Sequence, residues 1–285
     1  MTKITVVGAG TMGHGIAQVA AVAGYDTALT DANTDVLDVA QGRIQRNLDG
    51  GVARGKITAE AAVAAMARIQ LLPEVDAAAD GADIVIEAVL EDLDLKRALF
   101  ARLDGLVAPS ALLATNTSSL SVAAIAAATS HPDRVLGMHF FNPVHIMKLV
   151  EVVRHGATGE EAVERARDVA IRMGKEPIVV VDSPGFASSR LGIVLGLEAM
   201  RMVEQGVASA EDIDKALQLG YGHPMGPLKV SDLVGLDVRL AIAEYLHQEL
   251  KEPHYDPPAL LRDKVAAGEL GKKTGKGFYE WPPNK

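Results

Sequence analysis

The chain has 285 residues, 48% of them hydrophobic, enough for one large domain or two ordinary ones around a sizeable core. Its 37 acidic against 28 basic side chains, net −9, exclude a global attraction to nucleic acid or to an anionic membrane surface, so an anionic ligand needs a local basic patch. Cys is absent, which removes disulfides, thiolate metal sites and Cys nucleophiles together and suits a reducing compartment.

In chain order, short runs rich in Val, Ile and Leu alternate with helical patterns. The expected strands are ITVVG (4–8), TALTD (27–31), RIQLL (68–72), DIVIEAV (83–89), ALLATN (111–116), RVLGMHFF (134–141), KLVEVV (148–153) and EPIVVVD (176–182). Helices such as 13–23 and 92–106 fall between the earlier ones, the mark of βαβ units around a largely parallel sheet. The Ala-rich pieces AAVAAMA and VAAIAAAT read as helix, because Ala is the best helix former. After DSPGF the texture turns helical throughout: 187–205, 210–219 behind a Ser209 cap, 231–250 and 257–267. The expected fold is therefore α/β, a Rossmann-like, largely parallel sheet domain over 1–184 followed by an all-α carboxy-terminal domain over 185–285. The helical stretch LGIVLGLEAMRMV (191–203) is apolar nearly all round, which suits a central helix or one hidden by a second copy in a homodimer. The amino-terminal run is too short to span a bilayer and carries no cleavage-like segment, so a cytoplasmic protein with no membrane partner is expected.

Gly8, Gly10 and Gly13 form GAGTMG, with Ala9, Thr11 and Met12, between the first strand and first helix. Alone the pattern describes only a tight turn. In this context Gly8 permits the turn, Gly10 leaves room for a pyrophosphate, Gly13 lets helix and strand approach, and the helix N-terminus favours phosphate charge. Asp31 ends the second strand about 20 residues on, where a carboxylate takes both ribose hydroxyls of NAD and repels the extra phosphate of NADP. The cofactor expected is NAD.

Polar groups then collect where strands end: Glu91, Asn116, Ser118 and His139. In open α/β sheets that rim is where ligands bind. Glu151 sits among apolar neighbours in KLVEVV, a comfortable place for a carboxylate only with a partner, and His139 is the obvious one. Such a pair can take a hydroxyl proton as hydride leaves carbon, with Ser118 holding the same oxygen. The bland alternative is a core His on a backbone carbonyl and a Glu on a solvent-facing edge. Arg43, Arg46, Arg54 and Lys56 cluster after the second strand, as a solvated face or a phosphate site. His145 reads as a surface imidazole. In GKKTGKGFYEW (271–281), Phe278, Tyr279 and Trp281 are expected to dock.

Together GAGTMGHGIA, EAVLEDLDLK, ATNTSSLS, GMHFFNPVHIMKLVEVV, DSPGF, GYGHPMGPLKVSDLVGLD and GKKTGKGFYEW resemble the short-chain L-3-hydroxyacyl-CoA dehydrogenase family from end to end. The resemblance implies reversible oxidation of an L-3-hydroxyacyl-CoA, short chains such as hydroxybutyryl among them, to the 3-ketoacyl-CoA with NAD, in a homodimer. It makes His139 the general base, Glu151 its partner, and Ser118 a contact to substrate oxygen and cofactor. It adds Glu91, Lys96, Asn142 and Lys273 as NAD contacts, Asn142 also facing substrate, and Arg54 and Lys56 as contacts to CoA phosphates. Ser189 stands where an active-site Asn is expected, and His145 where many relatives carry Pro. A dehydrogenase of a CoA-free hydroxy acid, L-gulonate-like, and a non-catalytic dinucleotide-binding protein remain alternatives.

Overall fold

The computed structural model describes residues 2–282. The chain divides into two compact units, Met1–Ser183 and Pro184–Lys285. The first is built on an eight-stranded sheet in the order β3-β2-β1-β4-β5-β6-β7-β8. Its strands are β1 (Lys3–Val7), β2 (Asp26–Thr30), β3 (Ile69–Leu72), β4 (Ile84–Glu87), β5 (Leu112–Thr115), β6 (Val135–Phe140), β7 (Leu149–Arg154) and β8 (Glu176–Val181). All eight expected strands are present, and only the β6–β7 pairing is antiparallel. The helices are α1 (Gly13–Val22), α2 (Thr34–Ala53), α3 (Ala59–Ala67), α4 (Val75–Ala79), α5 (Leu93–Leu106), α6 (Val122–Ala126) and α7 (Glu160–Arg172).

Why the strands read as unbroken hydrophobic runs is clear from the two cores. Ile4, Val6, Ile84 and Ile86 face α1, α2, α3 and α7, while Val7, Val85 and Leu113 face α4, α5 and α6. A parallel sheet covered on both faces needs apolar residues at every position, not at alternate ones. The fourth strand ends at Glu87, short of the expected Val89. The Glu87 carboxylate accepts from the Val89 N–H at 2.7 Å, which turns the chain out of the ladder.

The second unit is helical, with α8 (Ser188–Glu204), α9 (Ala210–Tyr221), α10 (Pro227–Val234), α11 (Leu236–Leu250) and α12 (Ala259–Ala266). The expected helix at 231–250 is two helices. Pro227 starts α10 at its first turn, and Gly235, at φ 107°, breaks the path before α11. The Ser209 side chain caps α9 by accepting from the Asp212 N–H at 3.2 Å. Asp232, 1% exposed, gathers the segment 278–281: its carboxylate accepts from Phe278 N and Tyr279 N at 2.9 Å and from Trp281 Nε1 at 2.8 Å. Those aromatic residues dock as expected. Among the described residues, no helix is long and apolar enough to cross a membrane.

Candidate active site

In the first unit, β1 has β2 on one side and β4 on the other, and connections leave in opposite directions, so a crevice opens at their carboxyl ends. A cavity of about 940 Å³ lies there, lined by Gly8, Gly10, Thr11, Met12, Asp31 and Glu91 among others. Gly8 has φ 99°, and a Cβ on Gly13 would fall 1.6 Å from the Gly8 carbonyl oxygen. These two are fixed by the turn and by the approach of helix to strand. Around Gly10, by contrast, an added Cβ would meet nothing within 4 Å. No neighbour among the described residues needs that position bare, and the space over it suits the close approach of a pyrophosphate. Asp31 accepts from the Ala9 N–H at 2.8 Å and the Asn33 N–H at 2.9 Å. A carboxylate has about four acceptor sites, so capacity remains for hydroxyls in the cavity. The glycine loop and Asp31 together fit the diphosphate and ribose of a dinucleotide.

Four strands along, His139 on β6 and Glu151 on β7 are register partners of the antiparallel pair. Opposed residues of such a pair share a face, so the backbone itself brings the imidazole and the carboxylate together. The imidazole Nδ1 and the Glu151 Oε2 are 2.8 Å apart, with Glu151 fully buried and His139 7% exposed. The Phe141 ring packs on the imidazole at 4.5 Å between centroids. With Nδ1–H donated to the carboxylate, the neutral ring carries its acceptor lone pair on Nε2.

Between these two places runs a polar network. Glu91 accepts from the Thr117 hydroxyl at 2.6 Å and from the Ser118 N–H at 3.0 Å, so Ser118 is held at the rim. Burial pushes Glu91 up, but the Thr117 hydroxyl, the Lys96 ammonium and the Ser118 N–H outweigh it and hold the carboxyl below its usual range. Lys96 is 1% exposed; its ammonium lies 2.5 Å from Glu87 and 3.3 Å from Glu91. It stands behind Glu91, turned toward carboxylates of the protein. Sequence reasoning missed Glu87 and Thr117. An acid inside DIVIEAV was the available signal for Glu87, since a strand buried on both faces tolerates one only with partners, here Lys96 and the Thr115 hydroxyl at 2.6 Å.

Asn142 is exposed on the β6–β7 loop and lines a cavity of about 390 Å³ with Thr11, His14, Arg43 and His145. A larger neighbour of about 830 Å³ is lined by Arg54, Lys56, Lys148 and Lys175. The two share Arg46, Asn47 and His145, and neither lining includes an Asp or Glu among the described residues. The basic cluster is thus a trough, in a chain whose overall charge is negative. In the second unit, Ser189 lies in the first turn of α8, and the Lys273 ammonium pairs with Asp237 at 2.6 Å.

Residues 3–183 match the family described as 3-hydroxyacyl-CoA dehydrogenase, NAD binding domain, and residues 185–281 match its C-terminal domain. This chain belongs to the 3-hydroxyacyl-CoA dehydrogenase family. Its cofactor is NAD, in agreement with the bare position at Gly10 and the carboxylate at Asp31. Among family members, the 3-hydroxybutyryl-CoA dehydrogenase of Mycobacterium tuberculosis strain H37Rv is 44% identical, covering 98% of both chains. The 3-hydroxyadipyl-CoA dehydrogenase of Escherichia coli K12 is 43% identical over 98% of this chain and 58% of its own. The crystal structure of (S)-3-hydroxybutyryl-CoA dehydrogenase from Ralstonia eutropha superposes with a TM-score of 0.95, at 40% identity and 99% coverage of both chains.

Proposed function

We propose that this enzyme interconverts L-3-hydroxyacyl-CoA and 3-ketoacyl-CoA, with short chains such as 3-hydroxybutyryl as its substrates. The buried 2.8 Å contact between His139 and Glu151 carries the reading. Bound NAD supplies the hydride acceptor at its nicotinamide. His139 takes the hydroxyl proton on Nε2, and Glu151 favours the imidazolium that forms. In the reverse direction the same imidazolium returns the proton to the ketone oxygen. Ser118, fixed by Glu91, hydrogen-bonds the reacting oxygen and touches the cofactor. Glu91 and Asn142 contact NAD, and Lys96 sets the position of Glu91. Arg54 and Lys56 take the CoA phosphates, supported by a trough lined, among the described residues, by cations and no carboxylate. The roles given to Ser189 near the reacting oxygen and to Lys273 at NAD rest on the sequence resemblance.

We assign NAD binding to residues 1–184 and dimerisation and substrate contacts to 185–285. On α8, Leu191 and Leu195 are 66% and 42% exposed, which favours a second copy covering that helix. A Cys-free chain also suits a cytoplasmic enzyme of acyl-CoA metabolism.

Following NADH absorbance on addition of acetoacetyl-CoA tests the reading. Expected are NADH consumption, inhibition by free CoA, and much slower use of NADPH. Turnover confined to a CoA-free keto acid would move the enzyme to the gulonate type, and binding of NAD without turnover of either substrate would remove catalysis altogether.

A further inference from the structure

The trough has a titratable centre. His145 lines both of its cavities, and His14, on α1, lines the smaller one beside it. The groups facing His145 come from every surrounding element: His14 from α1, Arg43 and Arg46 from α2, Arg54 and Lys56 from the turn after it, and Lys148 and Lys175 from the flanks of β7 and β8. All are basic.

The backbone of His145 is pinned on two sides. Val144, 2% exposed, packs so closely on Gly15 of α1 that a Cβ there would come within 2.8 Å of the Val144 Cβ. From the other side the buried Lys175 ammonium donates to the carbonyl oxygens of Val144 and, at 2.9 Å, Met147. A loop held this way presents the imidazole at the junction of the cavities at little cost in ordering on binding.

We propose that His145 is a phosphate-binding residue of the acyl-CoA site that takes up a proton as the phosphate docks, His14 sharing in that uptake. The proposal rests on the acyl-CoA reading above. Burial, then the charges of His14, Lys175 and Arg54, holds free His145 below the usual histidine range, and burial does the same to His14 against the pull of the Gly10 carbonyl. Both are therefore neutral near pH 7 in the free enzyme. A phosphate dianion between them favours the charged form and raises their pKa. Between the free and bound values the complex holds more protons than its separated parts. Affinity for CoA then rises as pH falls through that window and levels off below the free value, where the imidazoles are already charged. The CoA phosphomonoester gives the opposite sign: its second ionisation, near pH 6, is drawn down by the surrounding cations and releases a proton on binding.

Isothermal titration of the full-length protein with free CoA near pH 7, in two buffers of different ionisation enthalpy, reads the sign directly. Net proton uptake is expected, falling by at least about half in His145→Asn, with a CoA affinity gain on going from about pH 8 to pH 6 that reaches roughly tenfold in the wild type and shrinks to about twofold in the variant. NAD binding by the variant reports an intact first unit, and His145→Gln serves if the Asn variant does not fold. Net proton release in the wild type, or uptake unchanged in both variants, overturns the proposal while leaving the acyl-CoA reading in place. Failure of CoA to bind at any pH overturns both.

Discussion

Glu87 and Glu151 are both fully buried carboxylates on strands of one sheet, yet the structure employs them differently. Glu87, on β4, is matched by a Lys96 ammonium, the Thr115 hydroxyl and the Val89 N–H. The ammonium only donates, and its partners are carboxylates of the protein, so this cluster is a static brace beneath the rim. Glu151, on β7, is matched by an imidazole, whose second ring nitrogen is left to accept or donate a proton. The difference teaches that a buried acid marks chemistry when its partner can change protonation, and architecture when it cannot.

The sharpest attempt to break this contrast is His139→Gln. Turnover is expected to fall by roughly two to four powers of ten, the ordinary contribution of a general base, while NAD titration of the same variant stays close to wild type. Near-normal turnover would put His139 and Glu151 in the same class as the brace. Next in size is Lys96→Met, which leaves Glu87 buried without its cation. Urea unfolding should show a loss of about 3–5 kcal/mol, and adding Glu87→Gln should recover part of it. A loss within about 0.5 kcal/mol would mean that the brace does not depend on charge. Asp31→Ala probes a third kind of carboxylate, half-buried and open to a cavity. Losing hydrogen bonds to a charged group should weaken NAD roughly ten- to a hundredfold and narrow the preference over NADP, as measured by cofactor titration. Unchanged cofactor affinity would detach Asp31 from the ribose.

Much of this was legible because period and position speak together. KLVEVV places an acid where only a paired one is stable, and the strand before it carries a histidine near its end. Antiparallel register then sets the pair, since a one-residue slip of either strand would turn its side chain to the other face and part the two. The eight strands were readable for a related reason: most are short runs rich in Val, Ile and Leu, and polar interruptions such as Gln70 in β3 and Glu151 in β7 are few. What stayed hidden depended on side-chain reach. Lys96 resembles a surface lysine on an amphipathic helix, and nothing in LDLK says that its ammonium passes inward to Glu87. The break at Gly235 was missed because a glycine inside a helical pattern is tolerated as often as it ends one, and only its left-handed φ decides. The trough joins α1, α2 and several connecting segments, a grouping that no local spacing encodes.

Asp232 carries a consequence for synthesis. Its three donors, Phe278, Tyr279 and Trp281, are made long after α10 has left the ribosome, so until they arrive this buried acid must stay in water or remain unsatisfied. The helical unit therefore cannot lock from its front end alone. The aromatic segment 278–281 acts as the bolt, and a chain lacking it would leave the Asp232 carboxylate without these three donors.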